Sequence, residues 1–206
     1  MPEEISILSA LFVQTGEGLD NIISILRRGV EPIPDHPETI VWYQDGTVSS
    51  YNIVGELGEN SVPDKMNAVK VEIGTAVTGI GEWAFEKCYS LTSITIPDSV
   101  TSIGDGAFNN CYSLTSITIP NDVTSIGDSV FSSCTALSSI TSLRTSAPTV
   151  QSGTFGSTDY NYTGLNTYSS GNNVLKVPQG ATGYNSSYWL DPLQSTMKCG
   201  FHIEYI

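Results

Sequence analysis

The chain has 206 residues, with 8 Lys plus Arg against 21 Asp plus Glu, a formal net charge of −13. That length is enough for one domain of ordinary size with a substantial core. The charge sets the chain against nucleic acid and anionic membrane surfaces, both of which attract clustered Lys and Arg. No segment reaches about 18 consecutive apolar residues, so no membrane insertion is expected.

Residues 1–38 are expected to be mainly helical. Pro2, Glu3 and Glu4, with Ile5, Leu8, Leu11 and Phe12 at helical spacing, predict a helix closed near Gly16. Leu19, Ile22, Ile23 and Leu26 mark one face of a second, stopped by Gly29. Ile5–Leu8 and Ala10–Val13 also read as strands, and that alternative stays open. An acidic start argues against a secretory leader, whose first region is basic. Pro32, Pro34 and Pro37 make the connector stiff and extended.

Residues 39–68 read as an N-terminal cap. Thr39 to Val54 is a hairpin pattern with Asp45-Gly46 as a two-residue turn. Val48, Val54 and Leu57 also fall one period ahead of Val71, Val77 and Ile80, which is the reading of a degraded coil. In either form the segment covers the open end of the repeats that begin at residue 69.

From residue 69 to 143 one unit recurs every 23 residues. Ile94-Thr-Ile-Pro-Asp-Ser-Val-Thr-Ser-Ile-Gly-Asp-Gly-Ala-Phe-Asn-Asn-Cys111 is followed in register by the copy from Ile117 to Cys134, and preceded by the one from Val71 to Cys88. A fixed period of this size is the mark of a solenoid, in which each copy is one coil. Stacking the copies gives columns: Val71, Ile94, Ile117 and Ile140; Ile73, Ile96 and Ile119; Val77, Val100 and Val123; Ile80, Ile103 and Ile126; then the Phe85, Cys88 and Leu91 columns. No coil buries these alone, but stacked coils bury them as ladders. We expect one strand and one short helical or 3₁₀ turn per coil. Gly81, Gly104 and Gly127 would allow a tight corner, and Glu82, Asp105 and Asp128 would cap the turn.

Residues 144–206 break the pattern, with Ser142 and Ser146 in core-column places. Gln151 to Asn173 is a loop rich in Tyr, Ser, Gly, Thr and Asn. Tyr160, Tyr162 and Tyr168 would make it a recognition surface if it is more than a connector. Val174–Pro178 and Phe201–Ile206 read as strands, with Tyr184 and Trp189 as an apolar plug.

The unit Leu-x-x-Ile-x-Ile-Pro-x-x-Val-x-x-Ile-Gly-x-x-Ala-Phe-x-x-Cys resembles the leucine-rich repeat of the BspA-like bacterial family, over about 75 residues. The resemblance implies a curved, right-handed leucine-rich-repeat solenoid with a parallel sheet on its concave side, capped at both ends. It also implies an exported or cell-surface protein, often adhesive. Family members usually carry an export signal or a wall anchor, and this sequence displays neither.

The chemistry is sparse. His36 and His202 have no nucleophile context, and no Gly-rich phosphate loop follows a strand. We expect no enzyme and no cofactor. The Glu82, Asp105 and Asp128 row reads as turn caps first and as a Ca²⁺ site second. Lys70, Glu72, Ser93, Thr95, Ser116, Thr118, Ser139 and Thr141 line the outward strand face, where small hydroxyls suit a glycan or a weak protein contact. Aromatic and Arg anchors are missing from these eight positions. Cys88, Cys111 and Cys134 share one column whose parallel side chains suit buried thiols better than bridges. Two functional readings stand: a non-catalytic adhesion module of a surface or secreted protein, or an assembly component of a larger bacterial or phage particle with weak self-association.

Overall fold

The computed structural model describes residues 37–151, 153–155, 173–184 and 201–206. The two helices expected before Gly29, Tyr160, Tyr162, Tyr168, Trp189 and Cys199 lie outside them. The chain divides into two compact units, Met1–His36 and Pro37–Ile206, and every described residue belongs to the second.

Each coil contributes two strands, one more than the sequence suggested. The first of each pair are β4 (Ala68–Glu72), β6 (Ser93–Thr95), β8 (Ser116–Ile119) and β10 (Ser139–Ser142). The second are β5 (Val77–Ile80), β7 (Ser102–Ile103), β9 (Ser125–Ile126) and β11 (Thr149–Val150). Parallel pairing sets Val71 beside Ile94 and Ile117 beside Ile140. The second strands run as one parallel sheet, led by β3 (Gly55–Leu57), that aligns Leu57, Ile80, Ile103, Ile126 and Val150. These are the columns read from the sequence, and their members down to Ile140 and Ile126 are buried. The first-strand stack is divided: β6 and β8 fall in separate four-stranded sheets, the latter closed by β12 (Asn173–Val177) and β13 (Phe201–Tyr205).

The expected helical turn is absent from the described coils. Instead, alternate residues donate their N–H to the next coil: Trp83 to Asp105 O (3.0 Å), Phe85 to Ala107 O (2.8 Å) and Lys87 to Asn109 O (2.8 Å). Trp83 and Lys87 have φ of 54° and 62°, and Gly106, Asn110, Ser129 and Ser133 repeat those left-handed positions in the next two coils. A left-handed residue every fourth position ends any helix before it starts, while the cross-coil bonds satisfy the backbone that a helix would have satisfied.

This third side carries the aromatic ladder. Phe85, Phe108, Phe131 and Phe155 stack with ring centroids 5.5, 5.9 and 5.9 Å apart. All are buried, so the ladder extends one coil past Leu143. Cys88, Cys111 and Cys134 are buried free thiols. The Cys111 thiol donates to Phe85 O at 3.3 Å and that of Cys134 to Phe108 O at 3.1 Å. Burial pushes the Cys111 thiol well above its ordinary pKa.

The glycine column owes its composition to close approach between coils. Gly104 has no positive φ, but a Cβ there would lie 2.7 Å from Glu82 N and 2.8 Å from Gly81 C. Those are backbone atoms of the previous coil, which cannot step aside.

The front end is covered, and at the rear a buried tyrosine packs into the core. At the front, β1 (Thr39–Tyr43) and β2 (Val48–Tyr51) form the expected hairpin, with β1 antiparallel to β4 and Val41 opposite Val71. Its turn is a residue longer than read. Tyr43 N bonds Thr47 O at 2.9 Å around Gln44–Gly46, and Gly46 takes φ 85°, the three-residue form with a left-handed glycine. Leu57 of β3 fills the Ile80 column, so the hairpin and the degraded coil are both present. Lys65, in a single 3₁₀ turn at Lys65–Asn67, donates to Glu59 O (2.9 Å), Trp83 O (2.6 Å) and Ala84 O (3.0 Å). The Ala84 carbonyl is the one that a preceding coil would have bonded. At the rear, the Tyr184 hydroxyl donates to Arg144 O (3.1 Å) and lies 2.7 Å from Ser142 Oγ, so the Ser142 hydroxyl donates to it. Ser142 fills its core place with its hydroxyl satisfied.

Candidate binding surface

In a strand whose alternate residues face the core, the residues between them face out. Val71 and Ile94 face in, so Lys70, Glu72, Ser93 and Thr95 face out. The register does the same for Ser116, Thr118, Ser139 and Thr141. All eight expected residues therefore lie in two rows on one side of the strand stack. The rows continue through Val174 and His202, and through Lys176 and Glu204.

The hairpin extends the face in the other direction and adds what the sequence reading of the coils lacked. Trp42 pairs with Lys70 and with Val48, placing an indole at the head of the Lys70 row. The Lys70 ammonium sits 4.4 Å from the centre of the Trp42 ring and 2.8 Å from Glu72 Oε1. Such a contact contributes about 0.5–1 kcal/mol at an exposed site and favours this arrangement of both side chains. Trp42 is half-buried and Val48 is exposed. The signal for Trp42 was available, since it alternates with Val41 in a strand whose core partner is Val71. The residues are not equally open. Ser93, Ser116 and Thr118 are exposed, Lys70, Thr95, Ser139 and Thr141 half-buried, and Glu72 is buried at 4 % exposure, so Glu72 acts on this face by holding Lys70.

The acidic row has another occupation. Asp105 Oδ1 accepts the N–H of Asp128 at 2.8 Å, and Asp128 Oδ1 accepts that of Gly153 at 2.9 Å. Each carboxylate caps the turn of the next coil. Among the described residues no three His, Cys, Asp or Glu side chains converge as metal ligands. No described helix is long and apolar enough to cross a membrane.

A parallel stack of short repeated coils with an aliphatic and aromatic interior is a solenoid, an architecture that leucine-rich-repeat proteins share with other repeat proteins. The family model for the BspA type leucine rich repeat region matches residues 56–182 in six copies, more than half of the chain, and the protein belongs to that family. Among solved structures it is similar to a T. pallidum leucine-rich repeat protein, with 31 % identity, a TM-score of 0.43, and 48 % of this chain and 45 % of that one covered. It is also similar to a leucine-rich repeat protein from Bacteroides ovatus, at 29 % identity, TM-score 0.30, covering 50 % and 37 %. A leucine rich cell surface protein from Faecalibacterium prausnitzii matches at 22 % identity, TM-score 0.33, covering 61 % and 52 %. The chain thus spans about half or less of each of these proteins. No curated protein matches it.

Proposed function

We propose that the chain is a non-enzymatic binding module of a secreted or surface-displayed bacterial protein. Its protein or glycan partner docks across the outward strand face. The observation that carries this reading is Trp42 at the head of the Lys70 row, held by the ammonium 4.4 Å from its ring. An indole already biased toward one arrangement loses less freedom on contact, and Trp is among the residues that dominate interface energy. The hydroxyls of Ser93, Ser116 and Thr118 extend the contact as a polar, periodic surface suited to a weak, multivalent partner. Tyr160, Tyr162 and Tyr168 are a second proposed contact, on the strength of their composition alone. The export habit of the BspA-type family supports display outside the cell.

The test is an array of glycans and extracellular proteins probed with the parent chain, Trp42→Ala and Thr118→Lys. Loss of at least about tenfold in affinity on Trp42→Ala is expected for an anchor of this kind. If every partner found is bound equally by all three chains, the assignment to this face is sunk. Concentration-dependent self-association with no hit on the array would favour an assembly component instead.

A further inference from the structure

A second feature lies on the opposite face of the hairpin. Tyr43, Ser49 and Tyr51 turn toward the core side of β1 and β2, and beyond the last core residue they line a cavity of about 410 Å³. Gln44, Asp45 and Thr47 of the turn complete one wall, and Asp64 and Asn67 of the loop before β4 the other. The volume falls within the range of about 300–1,000 Å³ usual for small-ligand sites.

Its polar groups are partly committed, and the remainder is informative. The Tyr43 hydroxyl donates to Pro63 O at 3.0 Å, so the Tyr51 hydroxyl, 2.7 Å away, donates to Tyr43. That leaves the Tyr51 oxygen with open lone pairs. Burial and the Tyr51 neighbour raise the Tyr43 pKa, which keeps it a donor across the physiological range. Asp45 Oδ1 accepts from Thr47 N and Oγ1 at 2.9 and 2.6 Å, leaving its other oxygen. No described group satisfies the Asp64 carboxylate, the Asn67 side-chain amide or the Ser49 hydroxyl. The Gln44 amide nitrogen donates to Ser90 Oγ. The wall thus offers several acceptors, two side-chain amides of which that of Asn67 keeps both functions, two phenol rings, and no cation.

We propose that this cavity is a binding site for a neutral pyranose, separate from the outward face. A sugar presents adjacent hydroxyls that donate to carboxylates and amide oxygens, and C–H faces that lie against aromatic rings. The two carboxylates of Asp45 and Asp64, in a chain of net charge −13, disfavour any anionic sugar.

The experiment is a saturation-transfer and calorimetric titration of the full chain with the methyl glycosides of glucose, galactose and mannose, with N-acetylglucosamine, and with glucuronic acid as the anionic control. Saturable millimolar binding of at least one neutral sugar is expected, with glucuronic acid at least about tenfold weaker from repulsion by two nearby carboxylates. Asn67→Ala and Asp64→Asn, both at exposed positions, should weaken it by about five- to tenfold each through lost hydrogen bonds. Trp42→Ala should leave sugar binding unchanged, which separates this site from the outward face. The proposal is overturned by any of three results: no neutral sugar saturates, glucuronic acid binds as tightly, or the two cavity variants match the parent. Loss of sugar binding in Trp42→Ala would overturn it as well, by moving the sugar to the other face.

Discussion

Phe108 has a ring stacked on each side, Phe85 at 5.5 Å and Phe131 at 5.9 Å, with interplanar angles of 1° and 4°. Removing it leaves a hole whose walls are backbone-fixed coils, so Phe108→Ala should cost about 3–5 kcal/mol. Thr95→Ala, on the outward face, should cost less than half of that in the same urea titration. Equal losses would put the inward and outward columns out of register. Cys111 gives a pH signature. Its folded-state pKa is raised by burial, while an unfolded thiol ionises near about 8.5. A raised folded pKa contributes stability that is whole below the unfolded value and is lost as pH climbs above it. Stability should therefore fall above about pH 8.5, by up to about 1.4 kcal/mol per pH unit for this one group. The slope should be shallower by about that amount in Cys111→Ala between about pH 8.5 and 10, before tyrosines contribute, since Cys88 and Cys134 are common to both chains. Urea midpoints at two pH values for both chains decide it, and an unchanged slope would mean that Cys111 is accessible in the fold.

At the scale of the element, the columns were legible because a 23-residue period superimposes every inward residue on its copy. The turns were not. Their left-handed positions are held by Trp83, Lys87, Asn110, Ser129 and Ser133 as well as Gly106, and only glycine advertises such a backbone in sequence. Gly104 owes its place to close approach to Glu82 N and not to a corner, and such an approach leaves no trace in a single copy. Ser142 looked like the end of the repeat because its partner Tyr184 lies 42 residues on. Trp42 is visible in the hairpin, but its place in the Lys70 row depends on the register of β1 against β4, which the hairpin turn does not set. Lys65 was silent for a similar reason: a lysine in a loop does not disclose the carbonyl that it serves. Replacing its ammonium leaves Ala84 O without its described partner, so Lys65→Met should cost about 1–3 kcal/mol. The loss should appear first as faster amide exchange in the Trp83–Cys88 turn. Unchanged exchange there would show that the ammonium is incidental to the cap.

For the whole second unit, stability is a sum over neighbouring coils, so its ends decide whether the sum begins. The front cap acts through three separate contacts. β1 occupies the edge of β4 with Val41 against Val71, Leu57 covers Ile80, and Lys65 serves Ala84 O at 3.0 Å. Without them, Val71, Val77 and Ile80, each at 1 % exposure or less, would meet water beside two open parallel edges, β4 and β5. Open edges beside apolar rows recruit other chains. A net charge of −13 for the chain opposes close association, but charge screened within about 8–10 Å at ordinary salt does not protect an edge in contact. A chain lacking residues 1–67 should therefore aggregate, or melt well below the parent, with aggregation growing as salt rises. Light scattering after size-exclusion chromatography, at low and high salt, reads both effects. A truncated chain that stays monomeric and melts with the parent would show that the coils close their own first face and that the hairpin serves only as the support of Trp42.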